Sequence, residues 1–447
     1  MNKVKSWLLA GLLSVGLTAC DQQLNVNPVL SIDETTALST GADVQVTLTG
    51  AFDGLSSSNL YGGAILYSGE LLGDDREVVF GGTYATLDEI WRKTMTTSNG
   101  VVGSIWSSAY ATINRANHVL SALDKVDADN KNAVEGQARF IRGVLYFELV
   151  KLFGKTYGDG DNNVNLGVPL VLTPTKSVTE ADFKPRSTVA AVYAQVLDDL
   201  TKAESLLPAS TSSSSVVTKS AAQALLSRVY LMQANYTAAR DAANKVITSG
   251  EYALTSTFAD AFNDATSPEE VIFSISVSDQ DGANDMNTFY ASSLSQGRGD
   301  VRVQSKHLAL YEAGDERSEF FEVVSKNNFT LKFADQYGDV PIVRLAEMYL
   351  TRAECNQRLG ATTGSTPLQD VNRIRNRAGL ASLATVTLDA ILKERKLELA
   401  FEGQQLSDIK RLHANVGTKT YSDPALILPI PQREMDTNKQ LKQNTGY

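Results

Sequence analysis

Glu398 and Glu402, one helical turn apart, are the carboxylates of this 447-residue chain best spaced for catalysis. One turn separates neighbouring side chains by about 6 Å, close to the roughly 5 to 5.5 Å between the carboxyl groups of a retaining glycosidase. Those carboxylates must approach a sugar from opposite sides, whereas these two project from one helix among Lys393, Arg395 and Lys396. Structural ion pairing is therefore the favoured reading. His118, His307 and His413 stand apart and form neither a His-Glu-x-x-His nor a cysteine-histidine spacing, so no metal is expected. Asp159, Asp161 and Asn163 open like a calcium loop, but Val164 replaces the required glycine and Leu170 the closing glutamate, which predicts a solvated turn. Asp198 and Asp199 fall where a solvated helix face is expected. The chain also lacks a Gly-x-Ser-x-Gly elbow, a phosphate-cradling glycine loop and a dinucleotide fingerprint. No catalytic residue and no cofactor are predicted.

Binding chemistry fares better. A sugar ring buries its apolar face on an aromatic plane, while carboxylates, amides and guanidinium groups engage its hydroxyls. Trp106 reads as helix core, which leaves Trp91, Tyr61, Tyr67, Phe80 and Tyr84 in one loop-rich stretch and Phe289 and Tyr290 in another. Asp74, Asn284, Asp285 and Arg302 are polar companions. The candidate contact set is Asp75, Arg76, Tyr84, Trp91, Tyr290 and Arg298.

These residues need a scaffold, and the sequence predicts a mainly α one. In residues 187–208, Ser187 or Thr188 can cap, Val189, Val192, Tyr193, Val196, Leu197, Leu200, Ala203 and Leu206 make one apolar face, and Pro208 stops the helix. Residues 388–412 read as a single helix covered on both faces, with Arg395, Glu398 and Glu402 satisfying one another or pairing with neighbouring helices. A small residue three before a tyrosine recurs at Ser107 and Tyr110, Gly143 and Tyr146, Ser227 and Tyr230, and Ala346 and Tyr349. Small side chains admit a second helix closely, so the repeat predicts tetratricopeptide-like helical hairpins. Residues 60–91, 157–184 and 276–306, rich in Gly, Asn, Asp and Ser, interrupt it as irregular insertions, where binding residues tend to collect. A short strand is expected within residues 270–277, EVIFSISV.

The segment ERKLELAFEGQQLSDIKR and the closing PIPQREMDTNKQLKQNTGY carry a resemblance. They are similar to the ERRxELAFEGxRxxDLxR helix and PIPxxExxxNxxLxQNxGY tail of the SusD/RagB family of outer-membrane nutrient-binding lipoproteins. Gln404, Gln405 and Leu406 depart from the family pattern, which bears on local packing. The resemblance implies about four helical hairpins, capture of an oligomeric nutrient, most often a glycan, and delivery to a SusC-like TonB-dependent transporter. Two other classes remain open on the residues alone, a lipid-anchored glycan hydrolase and a helical-repeat scaffold without a small ligand.

The start of the chain agrees with surface export. Lys3 and Lys5 precede an apolar run from Trp7 to Leu17 that is too short to span a bilayer, and Leu-Thr-Ala-Cys then resembles a lipobox. Residues 1–19 are expected to leave as a signal peptide. Acyl chains on Cys20, at about 0.8 kcal/mol per buried methylene, would hold residues 42–447 at a membrane through a tether over residues 20–41. Asp21 is an inner-membrane retention signal in some bacteria, but the resemblance implies the outer membrane, facing the exterior. Cys355, the only other cysteine, reads as a buried hydrophobe, and the net charge of −10 argues against nucleic acid.

Overall fold

The computed structural model describes residues 38–211, 213–263 and 268–447 of the chain, so Cys20 and the leader lie outside the described residues. Hydroxyl and amide side chains start many of the helices by accepting a first-turn N–H, as Thr40, Asn99, Thr188 and Thr218 do. In chain order, α1 (Gly41–Ser56) and α2 (Ala64–Gly73) lead into strand β1 (Val78–Phe80), followed by α3 (Ala85–Arg92), α4 (Gly100–Ser121) and α5 (Ala128–Phe153). Next come α6 (Val189–Leu206), α7 (Lys219–Met232), α8 (Tyr236–Ser249), β2 (Val271–Ile275), α9 (Asp285–Tyr290), β3 (Val301–Val303) and α10 (Ser305–Leu308). Strands β4 (Phe321–Val324), β5 (Asn327–Thr330) and β6 (Val340–Arg344) precede α11 (Leu345–Leu359), α12 (Pro367–Arg377), α13 (Leu388–Glu398), α14 (Gln405–Leu412) and α15 (Gln432–Thr437).

The long helices stack in the order α1, α4, α5, α6, α7, α8, α11, α12, each packed on the next. This makes four antiparallel-type pairs in a tetratricopeptide-like array, as the recurring small residue predicts. A Cβ on Gly143 would meet Asp199 and Leu200 of α6 at 3.1 Å, so that glycine sets how closely α5 and α6 approach. Ser227 of α7 is fully buried against Met348 of α11. The tyrosine of each pattern fastens an insertion in two cases, because the hydroxyls of Tyr110 and Tyr146 donate to the carbonyls of Pro169 and Val171.

Three expectations change. The first and third insertions are less irregular than their composition predicts, holding α2 and α3, and α9 and β3. Residues 388–412 are two helices, broken where Phe401 takes φ +68° and Gly403 φ +80°. Asp199 is buried and receives both Arg139, at 3.1 Å, and Arg142, at 2.7 Å, so it clamps α5 to α6 instead of facing solvent. The strand expected within residues 270–277 is β2, which pairs antiparallel with β6, Val271 opposite Arg344.

Candidate ligand-binding site

The carboxylate pair is spent on the fold. Glu398 and Glu402 are buried, and Arg344 reaches both, at 3.1 and 2.7 Å. Lys332 adds a 2.6 Å bond to Glu402, Arg317 a 3.4 Å contact to Glu398, and Arg377 a further ion pair to Glu398. Burial alone would raise Glu398, but Arg377, Arg344 and Arg317 hold it far below the usual carboxylate range. Arg395 is not the partner of Glu402; it pairs with Glu347 at 3.3 Å and Asp408 at 3.0 Å. Among the described residues no group of histidine, cysteine and carboxylate side chains could hold a metal ion.

Strand pairing brings the aromatic candidates together from distant sequence. β1 pairs with β3, Val78 opposite Val303 and Phe80 opposite Val301, which joins the first insertion to the third. Just past β1, the N–H of Gly81 donates to the carbonyl of Asp300 at 2.7 Å. Tyr84, 48% exposed, follows immediately. The Arg298 guanidinium lies 4.8 Å from the centre of its ring, and Phe289 abuts the ring in a T-shaped contact at 5.6 Å. Asp300, at 3.0 Å, and the hydroxyl of Thr83, at 3.2 Å, hold Arg298 there. The result is a ledge in which the guanidinium covers one face of a half-exposed ring and Phe289 abuts that ring.

Asp75, Arg76 and Trp91 form a second group at the other end of β1. The Trp91 indole N–H donates to Asp74 at 3.0 Å, and Asp74 also receives the backbone N–H groups of Glu77 and Val78 at 2.8 and 3.0 Å. Lys93 closes this turn by donating to the carbonyls of Leu71, Asp74 and Trp91, and burial lowers it to about 8. Trp91 is half-buried as a consequence, with one ring face taken by Arg92 at 5.2 Å. Asp75 pairs with Lys306 at 2.7 Å, while Arg76 is exposed on a positive φ of 62°.

Tyr290 does not join either group. It is 1% exposed and packs on Phe333 and Phe401 at about 6 Å, so its ring is core and beyond reach of a ligand. The alternation of side chains around the short α9 decides this: Phe289 turns toward Tyr67 and Tyr84, which sends Tyr290 inward. Tyr61, Tyr67 and Phe80 are also buried.

A cleft of about 390 Å³ lies beside the ledge, between the end of α1, the middle of α4 and the loop leading into α9. Asp53, Ser57, Asn59, Arg115, Asp281 and Asp285 help to line it. Of these only Asp285 stood out in the sequence. The polar run Ser56, Ser57, Ser58, Asn59 where an apolar helix face ends was the available sign of the rest.

The comparisons with known proteins agree with one another. Residues 32–231 match a SusD-like family described as "Starch-binding associating with outer membrane", and residues 320–425 match the SusD family that includes RagB. The chain is 27% identical to SusD-like protein P2 of Formosa agariphila, over 100% of both chains. A stretch of 125 residues, 24% of this chain and 22% of the other, is 34% identical to the starch-binding protein SusD of Bacteroides thetaiotaomicron. Among solved structures, a SusD superfamily protein of Bacteroides thetaiotaomicron superposes with a TM-score of 0.82, at 25% identity over 91% of this chain and 99% of that one.

Proposed function

Because the chain belongs to the SusD family, we propose that it is a non-enzymatic surface lipoprotein that binds an oligosaccharide and delivers it to a SusC-like TonB-dependent transporter in the outer membrane. The observation that carries this reading is the ledge made by Tyr84 and Arg298. Arg298 covers one face of the ring, and the part of Tyr84 that stays exposed together with the guanidinium offers the pairing that a sugar needs, one surface for its apolar face and one for its hydroxyls. The ledge is built from inserted segments, which leaves the long faces of the helical array free for a protein partner. Acylated Cys20 supplies the membrane anchor in this reading, since no helix among the described residues is long and apolar enough to cross a membrane.

The test is calorimetry against a panel of oligosaccharides, with the products analysed for cleavage. Saturable binding without cleavage is expected, and Tyr84→Ala should weaken it by about three- to tenfold, the scale of one aromatic contact. Trp91→Ala should weaken it as well, through the turn that Trp91 holds around Asp74. Cleavage of the oligosaccharide would assign the chain to the hydrolases instead. Absence of binding across the panel would leave a scaffold.

A further inference from the structure

The cleft beside the ledge has the dimensions of a small-ligand pocket, its volume of about 390 Å³ lying in the usual range. Its lining contains no aromatic ring, so it cannot hold a sugar by stacking. What it offers is hydroxyls, amides and an imbalance of charge. Asp53, Asp281 and Asp285 face it with only Arg115 opposing them. Asp281 is satisfied, accepting the N–H and hydroxyl of Ser278 at 2.9 and 2.6 Å. The carboxylates of Asp53 and Asp285 have no hydrogen-bond or ion-pair partner among the described residues, and neither is within ion-pair distance of Arg115. Arg115 donates to the carbonyl of Gly50 at 3.0 Å and keeps further N–H groups free for a ligand. Behind them the hydroxyl of Ser57 is cut off from solvent and lacks a partner.

Asp285 is the informative group. Its backbone enters α9 against Gly63, where an added Cβ would come within 2.4 Å of the Asp285 Cβ, so close packing fixes the point from which this side chain leaves the backbone. Burial raises it to about 6, and no neighbouring cation offsets that. A sugar hydroxyl would satisfy one lone pair and leave the charge uncompensated. An ammonium group would do both, through a charge-assisted bond about twice as strong as a neutral one. Anionic saccharides are disfavoured, because the cleft is acidic and the whole chain carries a net charge of −10.

We propose that the cleft seats a sugar unit bearing a free amine, with its ammonium on Asp285, Asp53 as a second acceptor, and Arg115 donating to a neighbouring hydroxyl oxygen. The inference rests on the glycan-carrier reading and narrows it to oligosaccharides containing a non-acetylated amino sugar. Helix α9 connects the cleft to the ledge. Asp285 and Phe289 are one turn apart on α9, a rise of about 6 Å, and Phe289 supports Tyr84.

The experiment compares glucosamine hexamer, N-acetylglucosamine hexamer and a neutral glucose hexamer by calorimetry at about pH 6.5, where the amine is substantially protonated and Asp285 is mostly ionised. The proteins are the wild type, Asp285→Asn, Tyr84→Ala and, as a control for bulk charge, Asp129→Asn at the exposed start of α5. The free-amine hexamer is expected to bind at least about tenfold more tightly than its acetylated counterpart, a difference of about 1.4 kcal/mol. Asp285→Asn should abolish that preference, and Asp129→Asn should retain it. Equal affinity for the amine and acetylated hexamers, a preference that survives Asp285→Asn, or equal losses in the two aspartate variants would each overturn the inference. Where neutral hexamers still bind in a Tyr84-dependent way, the carrier reading stands and only the cleft assignment falls. If no hexamer binds, the cleft assignment falls, and the wider oligosaccharide panel decides the carrier reading.

Discussion

Glu402 shows how a residue's burial can be read from sequence while its partners cannot. Its place on an apolar stripe signalled a buried charge, but the cations that meet it come from β6 and the loop after β5, far away in the chain. Removing it strands Arg344 and Lys332, not Arg395, and Glu402→Ala is expected to cost about 3 to 5 kcal/mol; an unchanged denaturation midpoint in urea would contradict this. The buried carboxylates also set an acid limit. Glu347, Glu354, Glu398, Glu402 and Asp408 are all lowered by arginine or lysine neighbours that overcome burial. Groups lowered on folding contribute stability above their unfolded values, and that contribution disappears as pH falls through the folded ones, so stability should collapse below roughly pH 4. Glu70 works in the opposite sense. Burial raises it to about 7, so its penalty grows as pH rises from 4.5 to about 7. Glu70→Gln should therefore remove a decline in stability between pH 5 and pH 7, measurable by chemical denaturation at several pH values. A slope unchanged in the variant would show that Glu70 titrates normally.

At the scale of elements, those with their own period were legible. The helix expected over residues 187–208 is α6 (Val189–Leu206), and the EVIFSISV strand is β2 (Val271–Ile275). The break between α13 and α14 was not legible, because its cause is contact with α2. Gly69 and Gly73 of α2 and Gly403 line a seam in which backbones nearly touch: an added Cβ would lie 3.0 Å from the Gly403 carbonyl oxygen, 2.7 Å from the Leu406 nitrogen and 3.1 Å from the Leu66 Cα, respectively. Helical periodicity records a helix's own faces and not the demands of a neighbour. Gly403→Ala combines a positive φ of 80° with that clash, so it should destabilise by about 1 to 3 kcal/mol. Gly250→Ala, also at positive φ but in open space, is the comparison. Equal losses in the two variants would mean that backbone conformation alone matters and that the seam can relax. The ledge was half legible for the same reason. Tyr84 and Arg298 could be named as residue types, but the β1–β3 pairing that joins them is a long-range event, and the one-residue choice between Phe289 and Tyr290 depends on how α9 is rotated.

For the molecule as a whole, the two ends of α1 have different surroundings. Its first turn packs against Lys125 and Val126, whereas Asp53 and Ser56 in its last turn line the cleft. Sixteen helical residues separate these ends by about 24 Å. In the proposed reading a lipid on Cys20 would precede, in the chain, the α1 end remote from the cleft. Cys20→Ser is expected to move the protein into the soluble fraction with its oligosaccharide affinity and denaturation midpoint unchanged. Anchoring also has a kinetic role in the proposed pathway. Confining the carrier to the surface that holds the transporter turns their encounter into a near-intramolecular one, with a large gain in effective concentration. Mild-detergent extraction and affinity capture of the wild type should then recover a large β-barrel transporter in near-equal amount. Tyr84→Ala should retain that partner, because the ledge belongs to the inserted segments and the protein partner is assigned to the helical faces. Cys20→Ser should lose it in cells but regain it when mixed with the transporter at high concentration. Recovery of the chain alone in several detergents, together with normal uptake of the nutrient in its absence, would break the link between this carrier and a transporter.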